Sequence, residues 1–382
     1  MFNVKALSSG PKHHFYGYYD INPWDPSFRY HLALETDFHE RRPEARDVAA
    51  VGLVDRETQD FIPRATTSAF NLQQGSMLHW IEAGFGAEFT FNDWEYRKVI
   101  SRSVGMETGE MRTIQGGIAG ISPTEPVAIG LNYARMAHCR AVVGYANDMD
   151  PATLEDHPED DGLFLLDLKS GESKLILSIA EVVRTSRYEG LNGKRAWFNH
   201  VLFNTDGTRI MFFCRFRYIE EPRIQGTSLW TVNPDGSNLK CQIPFGGHIS
   251  HFDWRDEKHL LMSSDVLGKF EFVEFTDNQN DFKPFGNGAL RGHACFSPDR
   301  RWIVFDNRIR KGDKGFATLT LYNVESSSQV SLGEFYHDEK FKNDIRCDLH
   351  PRWSPDGKII TFDSVHEGSR QIYIVNVSDI VG

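Results

Sequence analysis

The sequence predicts an all-β fold, a seven-bladed β-propeller, from two observations. Hairpin units recur along the 382 residues, and each unit has an aromatic residue, a polar turn built on Pro-Asp-Gly or a close variant, and an alternating apolar strand. Helical periodicity is almost absent, which disfavours a parallel α/β fold. Most of the units are spaced by about 43 to 57 residues, which is the range of propeller blades.

Seven hairpin units support this prediction. Asp and Gly adopt the turn geometry, while β-branched and aromatic residues suit a half-buried pleated surface. The clearest units are FNTDGTRIMFF (203–213), FSPDRRWIVFD (296–306) and WSPDGKIITFDS (353–364), and weaker copies lie at 21–35, 77–93, 121–132 and 251–264.

Second hairpins give each blade four antiparallel strands. They are clearest at 228–243 and 317–333. The C-terminal QIYIVNVSDI reads as the third strand of the last blade, so we expect an N-terminal strand to close the ring and remove the open edges. We predict a single propeller domain, 1–382, with an acidic insert around 146–162 (ANDMDPATLEDHPEDDG) and extra loop or short helix after it.

Composition excludes several partners. With 42 Lys and Arg against 53 Asp and Glu, the net charge is −11, which disfavours nucleic acid because that affinity comes from clustered cations. The sequence shows neither the apolar core of a signal peptide nor an apolar run long enough to span a bilayer, so we expect a cytoplasmic protein with no membrane partner. Five cysteines without Cys-x-x-Cys spacing indicate reduced thiols. The oligomeric state is left open.

Several strings resemble known propeller families. Blades such as WSPDGKIITFDS look like the TolB-like repeat, and four longer strings are similar to the oligogalacturonate lyases and to the related seven-bladed ulvan lyases. Those strings are AFNLQQGSMLHW (69–80), WFNHVLFNTDG (197–207), SHFDW (250–254) and RCDLHPRWSPDGKIITFDSVHEG (346–368). The resemblance implies β-elimination of a uronate-containing oligosaccharide in a funnel at one end of the propeller axis, with a metal ion nearby.

A metal site is expected at that funnel. Cys347 and His350 form a Cys-x-x-His pair, and, in line with the resemblance, His251 and His293 occupy equivalent places at the start of other hairpins. A thiolate with three imidazoles suits tetrahedral Zn²⁺ best, with Mn²⁺ as the second choice. In the alternative interpretation these residues are polar groups at strand ends that form hydrogen bonds within the protein and bind no metal.

Elimination of a uronate needs a base, a cation that neutralises the carboxylate and an acid for the leaving oxygen. The resemblance makes His200 the base, because its string matches the one that carries the base in oligogalacturonate lyases. Arg215 and Arg217 share one face of a strand by alternation and offer the bidentate fork that fits a carboxylate. Either could instead form a surface salt bridge.

Further polar and aromatic side chains suit acid or sugar-binding roles, because pyranoses present apolar faces and hydroxyl rims. Tyr133 and Arg135 are further catalytic candidates. The substrate-binding candidates are Tyr18, Tyr19, Gln73, Gln74 and His138. Buried tyrosines and glutamines also anchor contacts between blades, so a structural role is an equal alternative.

Three classes of function fit the sequence. The favoured class is a polysaccharide lyase. The second is a non-catalytic propeller that binds a glycan or a protein, since propellers host binding as readily as chemistry. The third is a hydrolase or another sugar-modifying enzyme that uses the same funnel. Placing His200, the arginines and the metal set on one face would favour the lyase, whereas scattering them would remove its basis.

Overall fold

Seven four-stranded antiparallel sheets form a ring, which confirms the predicted seven-bladed propeller. The computed structural model describes residues 2–81, 88–147, 149–150, 154–218, 221, 223–286 and 290–382. The turn of the second predicted hairpin, 82–87, and positions 148 and 151–153 of the acidic insert lie outside the described residues.

The strands follow one another blade by blade along the chain. In chain order they are β1 (Val4–Ala6), which joins the last sheet; β2 (His13–Phe15), β3 (Tyr30–Thr36), β4 (Ala49–Asp55) and β5 (Phe61–Thr67); β6 (His79–Ile81), β7 (Glu88–Glu95), β8 (Lys98–Gly105) and β9 (Met111–Ile114); β10 (Gly117–Ile121), β11 (Val127–Leu131), β12 (Gly162–Asp167) and β13 (Ser173–Ser178); β14 (Arg195–Phe203), β15 (Ile210–Arg217), β16 (Gly226–Val232) and β17 (Lys240–Ile243); β18 (Ile249–Trp254), β19 (His259–Ser264), β20 (Glu271–Thr276) and β21 (Lys283–Pro284); β22 (Ala294–Phe296), β23 (Trp302–Lys311), β24 (Lys314–Asn323) and β25 (Gln329–His337); and β26 (Arg352–Trp353), β27 (Ile359–Ser364) and β28 (Gln371–Asn376).

Helices are short and lie outside the sheets. Within the described residues the α-helices are α1 (Tyr133–Cys139), α2 (Ile179–Ser186) and α3 (Ser378–Val381), with 3₁₀ turns at Glu189–Leu191 and Asn343–Ile345. Helix α2 lies in the segment after the acidic insert, where the sequence indicated extra loop or a short helix. None of the helices in the described part of the chain is both long and apolar enough to cross a membrane.

In the three clearest hairpin units, one polar side chain shapes the turn. The hydroxyl of Ser354 accepts from the backbone N of Ile359 at 2.9 Å, and that of Ser297 accepts from Trp302 N at the same distance. Asn204 does the same for Arg209 N at 2.9 Å. Such side-chain bonds satisfy backbone donors that the short turn leaves unpaired, which is why the repeat is visible in the sequence.

Indole groups tie neighbouring blades together. Trp353 Nε1 donates to Cys295 O at 3.1 Å, and Trp80 Nε1 donates to Pro23 O at 2.9 Å. Each tryptophan is buried, so its ring fills the space between two sheets while its N–H finds an acceptor in the preceding one.

The last blade is completed by the N-terminal strand, as the sequence predicted. Val4, Lys5 and Ala6 of β1 pair with Val375, Ile374 and Tyr373 of β28. Leu7 N continues the ladder by donating to Ile372 O at 2.8 Å. Closure covers the edge of β28, which would otherwise offer unpaired backbone groups.

The described part of the acidic insert is anchored at the side of the ring. The Arg135 guanidinium donates to Glu155 O at 2.8 Å and to Asp156 O at 3.0 Å. Asp161 Oδ2 accepts from Asn132 Nδ2 at 2.9 Å. Arg135 therefore has a structural partner on the insert, which differs from the catalytic role considered for it.

Candidate functional site

A cavity of about 440 Å³ lies where the first strands of several blades converge. Nine of the fourteen residues predicted for the site line it: Tyr18, Tyr19, Gln73, Gln74, His200, Arg215, His251, His293 and His350. None of the described residues of the acidic insert is part of its wall. The described part of the insert therefore brings no negative charge to this wall.

Three of the lining histidines stand where the backbone departs from regular geometry. His200 has φ 54° at the register shift of β14, His251 has φ 35° at the shift of β18, and His350 has φ 45° just before β26. A non-glycine residue at positive φ costs about 1 to 3 kcal/mol and is tolerated where the surroundings impose it. Bulges of this kind redirect a side chain out of the ladder, and here the redirected imidazoles line the cavity.

A possible metal site lies at one wall of the cavity. His293, Asp348 and His350 each offer one ligand atom, and these atoms all lie within 4.8 Å of one another. All three residues are buried. His293 precedes β22 and the other two precede β26, so the group joins two blades.

The hydrogen bonds of the two imidazoles leave their lone pairs facing each other. His293 Nδ1 lies 2.9 Å from Asp306 Oδ1, and His350 Nδ1 contacts the carbonyl oxygen of Gly17, which can only accept. With both Nδ1 atoms donating, each ring in its neutral form has its lone pair on Nε2, and the two Nε2 atoms lie 3.2 Å apart. Two facing lone pairs repel unless a cation or a proton lies between them, and Nδ1 bonds of this kind are typical of imidazoles that bind metal through Nε2.

His251 borders this group. Its ring centroid lies 4.0 Å from that of His293, and its buried Nδ1 has no hydrogen-bond partner. Burial lowers the pKa of His251 well below its ordinary value, so the ring is neutral and has a lone pair to offer. An unpaired buried nitrogen beside the ligand group fits a further contact to a cation.

Cys347, one of the four predicted metal ligands, is not part of the group formed by His293, Asp348 and His350. Its side chain packs in a small apolar cluster with Phe341 and Val365, and burial raises the pKa of its thiol to about 12. Its Sγ is not among the ligand atoms that lie together in the His293, Asp348 and His350 group, so the geometry gives no support for Cys347 as a ligand. Asp348, which the sequence analysis overlooked, is the neighbour that joins the two histidines.

His200 and Tyr18 form a close pair in the same cavity. Tyr18 Oη and His200 Nδ1 lie 2.5 Å apart. Burial, with the positive charge of Arg215, lowers the pKa of His200 well below its ordinary value, while burial raises that of Tyr18. Both groups are therefore neutral near pH 7, the imidazole as a base and the phenol as a proton donor.

The cavity carries unpaired positive charge. Arg215 is 6% exposed, and its Nε donates to Thr227 Oγ1 at 3.2 Å. Among the described residues, no carboxylate oxygen lies within 4.0 Å of the side-chain nitrogens of Arg215 or of Arg140, a lining residue that the sequence analysis missed. Burial, with the charge of Arg140, lowers the pKa of Arg215 to about 9. A buried cation without a counterion is unfavourable unless a ligand supplies the negative charge.

Arg346 is the third arginine that lines the cavity, and like Arg140 it was missed by the sequence analysis. It differs from the other two because its Nε lies 2.6 Å from Asp348 Oδ2. The Asp348 carboxylate is thus held by Arg346 and, through Oδ1, by Arg308 at 2.8 Å. These cations lower the pKa of Asp348 well below its ordinary value despite its burial, which keeps it available as an anionic ligand.

Gln73 and Gln74 reach the cavity through a tight turn. Asn71 Oδ1 accepts from both of their backbone N–H groups, at 2.9 and 2.8 Å. A side chain on Gly17 (φ 104°) would meet Gly75 N at 2.4 Å, so only glycine lets this turn pack against the loop that carries Tyr18 and Tyr19. The string NLQQG therefore positions the two glutamines.

The other predicted residues lie elsewhere. Tyr133 is buried and stacks on Tyr145 with ring centroids 4.5 Å apart, and Arg217 donates to Cys139 O at 3.3 Å. Neither these two nor Arg135 lines the central cavity. His138 lines a second cavity, where its Nε2 lies 3.1 Å from Asn147 Oδ1.

These features define the class of the protein as a seven-bladed β-propeller with an axial cavity that combines unpaired arginines, a neutral histidine and a possible His/Asp metal site. No protein-family model matches the chain, and no curated protein matches it. Among solved structures, it is similar to the oligogalacturonate lyase of Vibrio parahaemolyticus (TM-score 0.68, 16% identity, covering 99% of this chain and 94% of that one). An oligogalacturonate lyase in complex with manganese is similar as well (TM-score 0.64, 16% identity, 99% and 94% covered).

A TolB structure from Acinetobacter baumannii matches less closely (TM-score 0.42, 13% identity, 88% and 78% covered). At 16% identity the similarities to the two oligogalacturonate lyase structures establish the fold, and they agree with the family resemblance that the sequence strings indicated.

Proposed function

We propose that the protein is a polysaccharide lyase that cleaves uronate-containing oligosaccharides by β-elimination. The observation that carries this proposal is the convergence of His200, Tyr18 and the unpaired Arg215 in one cavity that also borders the His293–Asp348–His350 group. A binding protein needs no neutral base beside a proton donor, so the pair favours the lyase over the non-catalytic propeller.

The roles follow from the chemistry of elimination. His200 Nε2 removes the proton from C5 of the uronate, the C5–H electrons form the C4=C5 double bond, and the C4–O bond breaks. In the tautomer in which His200 Nδ1–H donates to Tyr18 Oη, Nε2 is free to accept that proton, and the Tyr18 hydroxyl proton is free to pass to the departing oxygen. Arg215 neutralises the uronate carboxylate and stabilises the charge that develops next to it.

A divalent cation fits the His293, Asp348 and His350 group, with His251 as a further contact. When bound, it would supply positive charge beside the substrate carboxylate and would hold two blades together. Without a thiolate in the group, the argument for Zn²⁺ from Cys347 lapses. Two imidazoles with a carboxylate suit Mn²⁺ as well, and the similarity to a lyase that binds manganese leads us to propose Mn²⁺.

Substitutions separate the two candidate ligand sets. Elemental analysis of the purified protein is expected to find a stoichiometric metal that His350→Ala and Asp348→Asn remove and that Cys347→Ala retains. If Cys347→Ala is the only one of these variants to lose the metal, the predicted ligand set that includes the Cys347 thiolate would be favoured instead. Absence of any metal in the unaltered protein after incubation with Mn²⁺ or Zn²⁺ would reject the metal proposal.

Cleavage is tested by the ultraviolet absorbance of the conjugated double bond that elimination creates. We expect a signal with at least one of oligogalacturonate, ulvan, glucuronan and rhamnose–glucuronate fragments. His200→Ala should lower the rate by about 10²- to 10⁴-fold, the usual contribution of a general base. His259→Ala is the matched control, because His259 pairs with Asp256 outside the cavity. A flat trace with every fragment, while calorimetry shows binding, would support the non-catalytic alternative.

A further inference from the structure

A second cavity, of about 580 Å³, adjoins the central one. Val142 lines both cavities. The turn at 71–75 also faces both, since Asn71 and Leu72 line the second cavity while Gln73 and Gln74 line the first. The two cavities are therefore neighbours. The volume lies within the range of small-molecule sites, about 300 to 1,000 Å³.

The second cavity offers fixed polar groups that lack charge. Asn71 is 3% exposed, its Oδ1 is held by two backbone N–H groups, and its Nδ2 is a buried donor without a partner. In the same cavity, burial lowers the pKa of His138, so the ring is neutral and lies beside Asn147. Amide and neutral imidazole groups both donate and accept, which is what sugar hydroxyls require.

The arginines of this cavity are neutralised by carboxylates of the chain, in contrast to those of the central cavity. Arg41 makes two hydrogen bonds to Asp47, at 2.5 and 2.9 Å. Arg42 Nη1 lies 3.1 Å from Asp344 Oδ2. A ligand carboxylate placed here would compete with carboxylates already in position, whereas in the central cavity it would meet Arg215 and Arg140 unpaired.

We propose that the second cavity binds a neutral sugar residue of the same oligosaccharide whose uronate occupies the central cavity, so that the preferred substrate joins a uronate to a neutral sugar. This inference rests on the proposed lyase function. It goes beyond that function because it selects mixed oligosaccharides over homopolymeric uronates. The physical basis is the distribution of unpaired charge between two adjoining cavities.

The test compares two oligosaccharides of equal length, a rhamnose–glucuronate fragment and an oligogalacturonate. The unaltered protein is expected to show at least about tenfold higher kcat/KM for the mixed fragment, the effect of about 1.4 kcal/mol of differential binding. Equal values, or a preference for oligogalacturonate, would overturn the neutral-sugar inference and leave the lyase function standing. No cleavage of either fragment would overturn both.

Two variants localise the preference to the second cavity. Asn71→Asp keeps the Oδ1 acceptor that shapes the turn and removes the unpaired Nδ2 donor. Ala141→Trp fills the cavity from an exposed position. Each should raise KM for the mixed fragment about tenfold with little change in kcat, because a contact remote from the reacting bond is lost.

A tryptophan at another exposed position controls for the bulk of the new side chain. Glu325→Trp lies at the exposed turn between β24 and β25 and should leave both KM values unchanged. Thermal unfolding of each variant shows whether its fold is intact. If Ala141→Trp is folded and keeps the KM of the unaltered protein, the second cavity does not bind the substrate.

Discussion

Asp363 is the buried carboxylate that fixes the loop carrying the tyrosines. It is 1% exposed, lies 2.7 Å from Arg352 Nη2, and accepts from Gly17 N at 2.8 Å. Gly17 in turn accepts from His350, and Arg352 Nη1 donates to Tyr18 O at 3.2 Å. One ion pair thus supports both the His293–Asp348–His350 group and Tyr18.

Replacing this carboxylate should be strongly destabilising. Asp363→Asn leaves the Arg352 cation buried without its partner, and breaking such a pair costs about 3 to 5 kcal/mol in the free energy of unfolding. Urea unfolding measures the loss. Glu57→Gln, which removes an exposed pair at 3.7 Å from Arg29, should change stability by less than about 1 kcal/mol. A similar small change for Asp363→Asn would show that the pair contributes little.

The pH dependence of cleavage reports on His200. Because burial and the Arg215 charge disfavour the imidazolium form, the base stays neutral as the pH falls through 6.5, the ordinary pKa of histidine. The acid limb of kcat/KM for the unaltered protein should therefore have its midpoint below pH 6.5. The residual activity of His200→Ala should lack this limb. A midpoint above 6.5 would contradict the assignment of the base.

At the scale of elements, the pairing of β1 with β28 holds the ring closed. Besides the ladder, Leu7 is 1% exposed, and Val4 and Ala6 pack against the cluster of the last blades. Deleting residues 2–7 removes one fully buried leucine, which is worth about 1.5 to 3 kcal/mol, together with the ladder bonds.

We expect this deletion to lower the free energy of unfolding by at least about 3 kcal/mol and to promote association through the exposed edge of β28. Urea unfolding and light scattering measure the two effects. Lys5→Ala, on the exposed side of β1, should change stability by less than about 0.5 kcal/mol. If the truncated protein unfolds like the intact one, closure by β1 is dispensable.

At the scale of the whole molecule, burial of histidines makes stability depend on pH. In the described residues the pKa is lowered for ten histidines, and it falls to about 4 for His39, His79 and His337. The unfolded chain binds protons to these rings from pH 6.5 downward, while the folded protein does not. Three carboxyls with raised pKa, on Asp20, Asp161 and Asp253, have the opposite effect.

The histidines outnumber these carboxyls, so the free energy of unfolding should fall as the pH decreases from 7 to 4. His79 alone accounts for about 3 kcal/mol at the acid end, from a pKa of about 4 against 6.5 in the unfolded chain. Urea unfolding at pH 7, 5.5 and 4 measures the trend. In His79→Phe the fall should be smaller, and stability that rises on acidification would contradict the expected sign.

Local patterns in the sequence were enough to predict the blades but not the ligand set. Asp348 lies two residues before His350, but His350 has φ 45° and lies outside a strand, so strand alternation does not show which of its neighbours share its face. No local pattern marks Arg140 or Arg346 either, because their place at the cavity depends on how the 133–147 and 338–351 segments fold back over the ring.

The sequence by itself determined the propeller, because each hairpin is specified by turn residues and alternation within about a dozen neighbouring positions. It also indicated His251, His293 and His350 by their places at the start of hairpins, and His200 through the family resemblance of its string. Only the tertiary structure decided which charges are neutralised. Pairing of an arginine with a carboxylate depends on segments that are distant along the chain, and the unpaired Arg215 beside His200 results from that long-range packing.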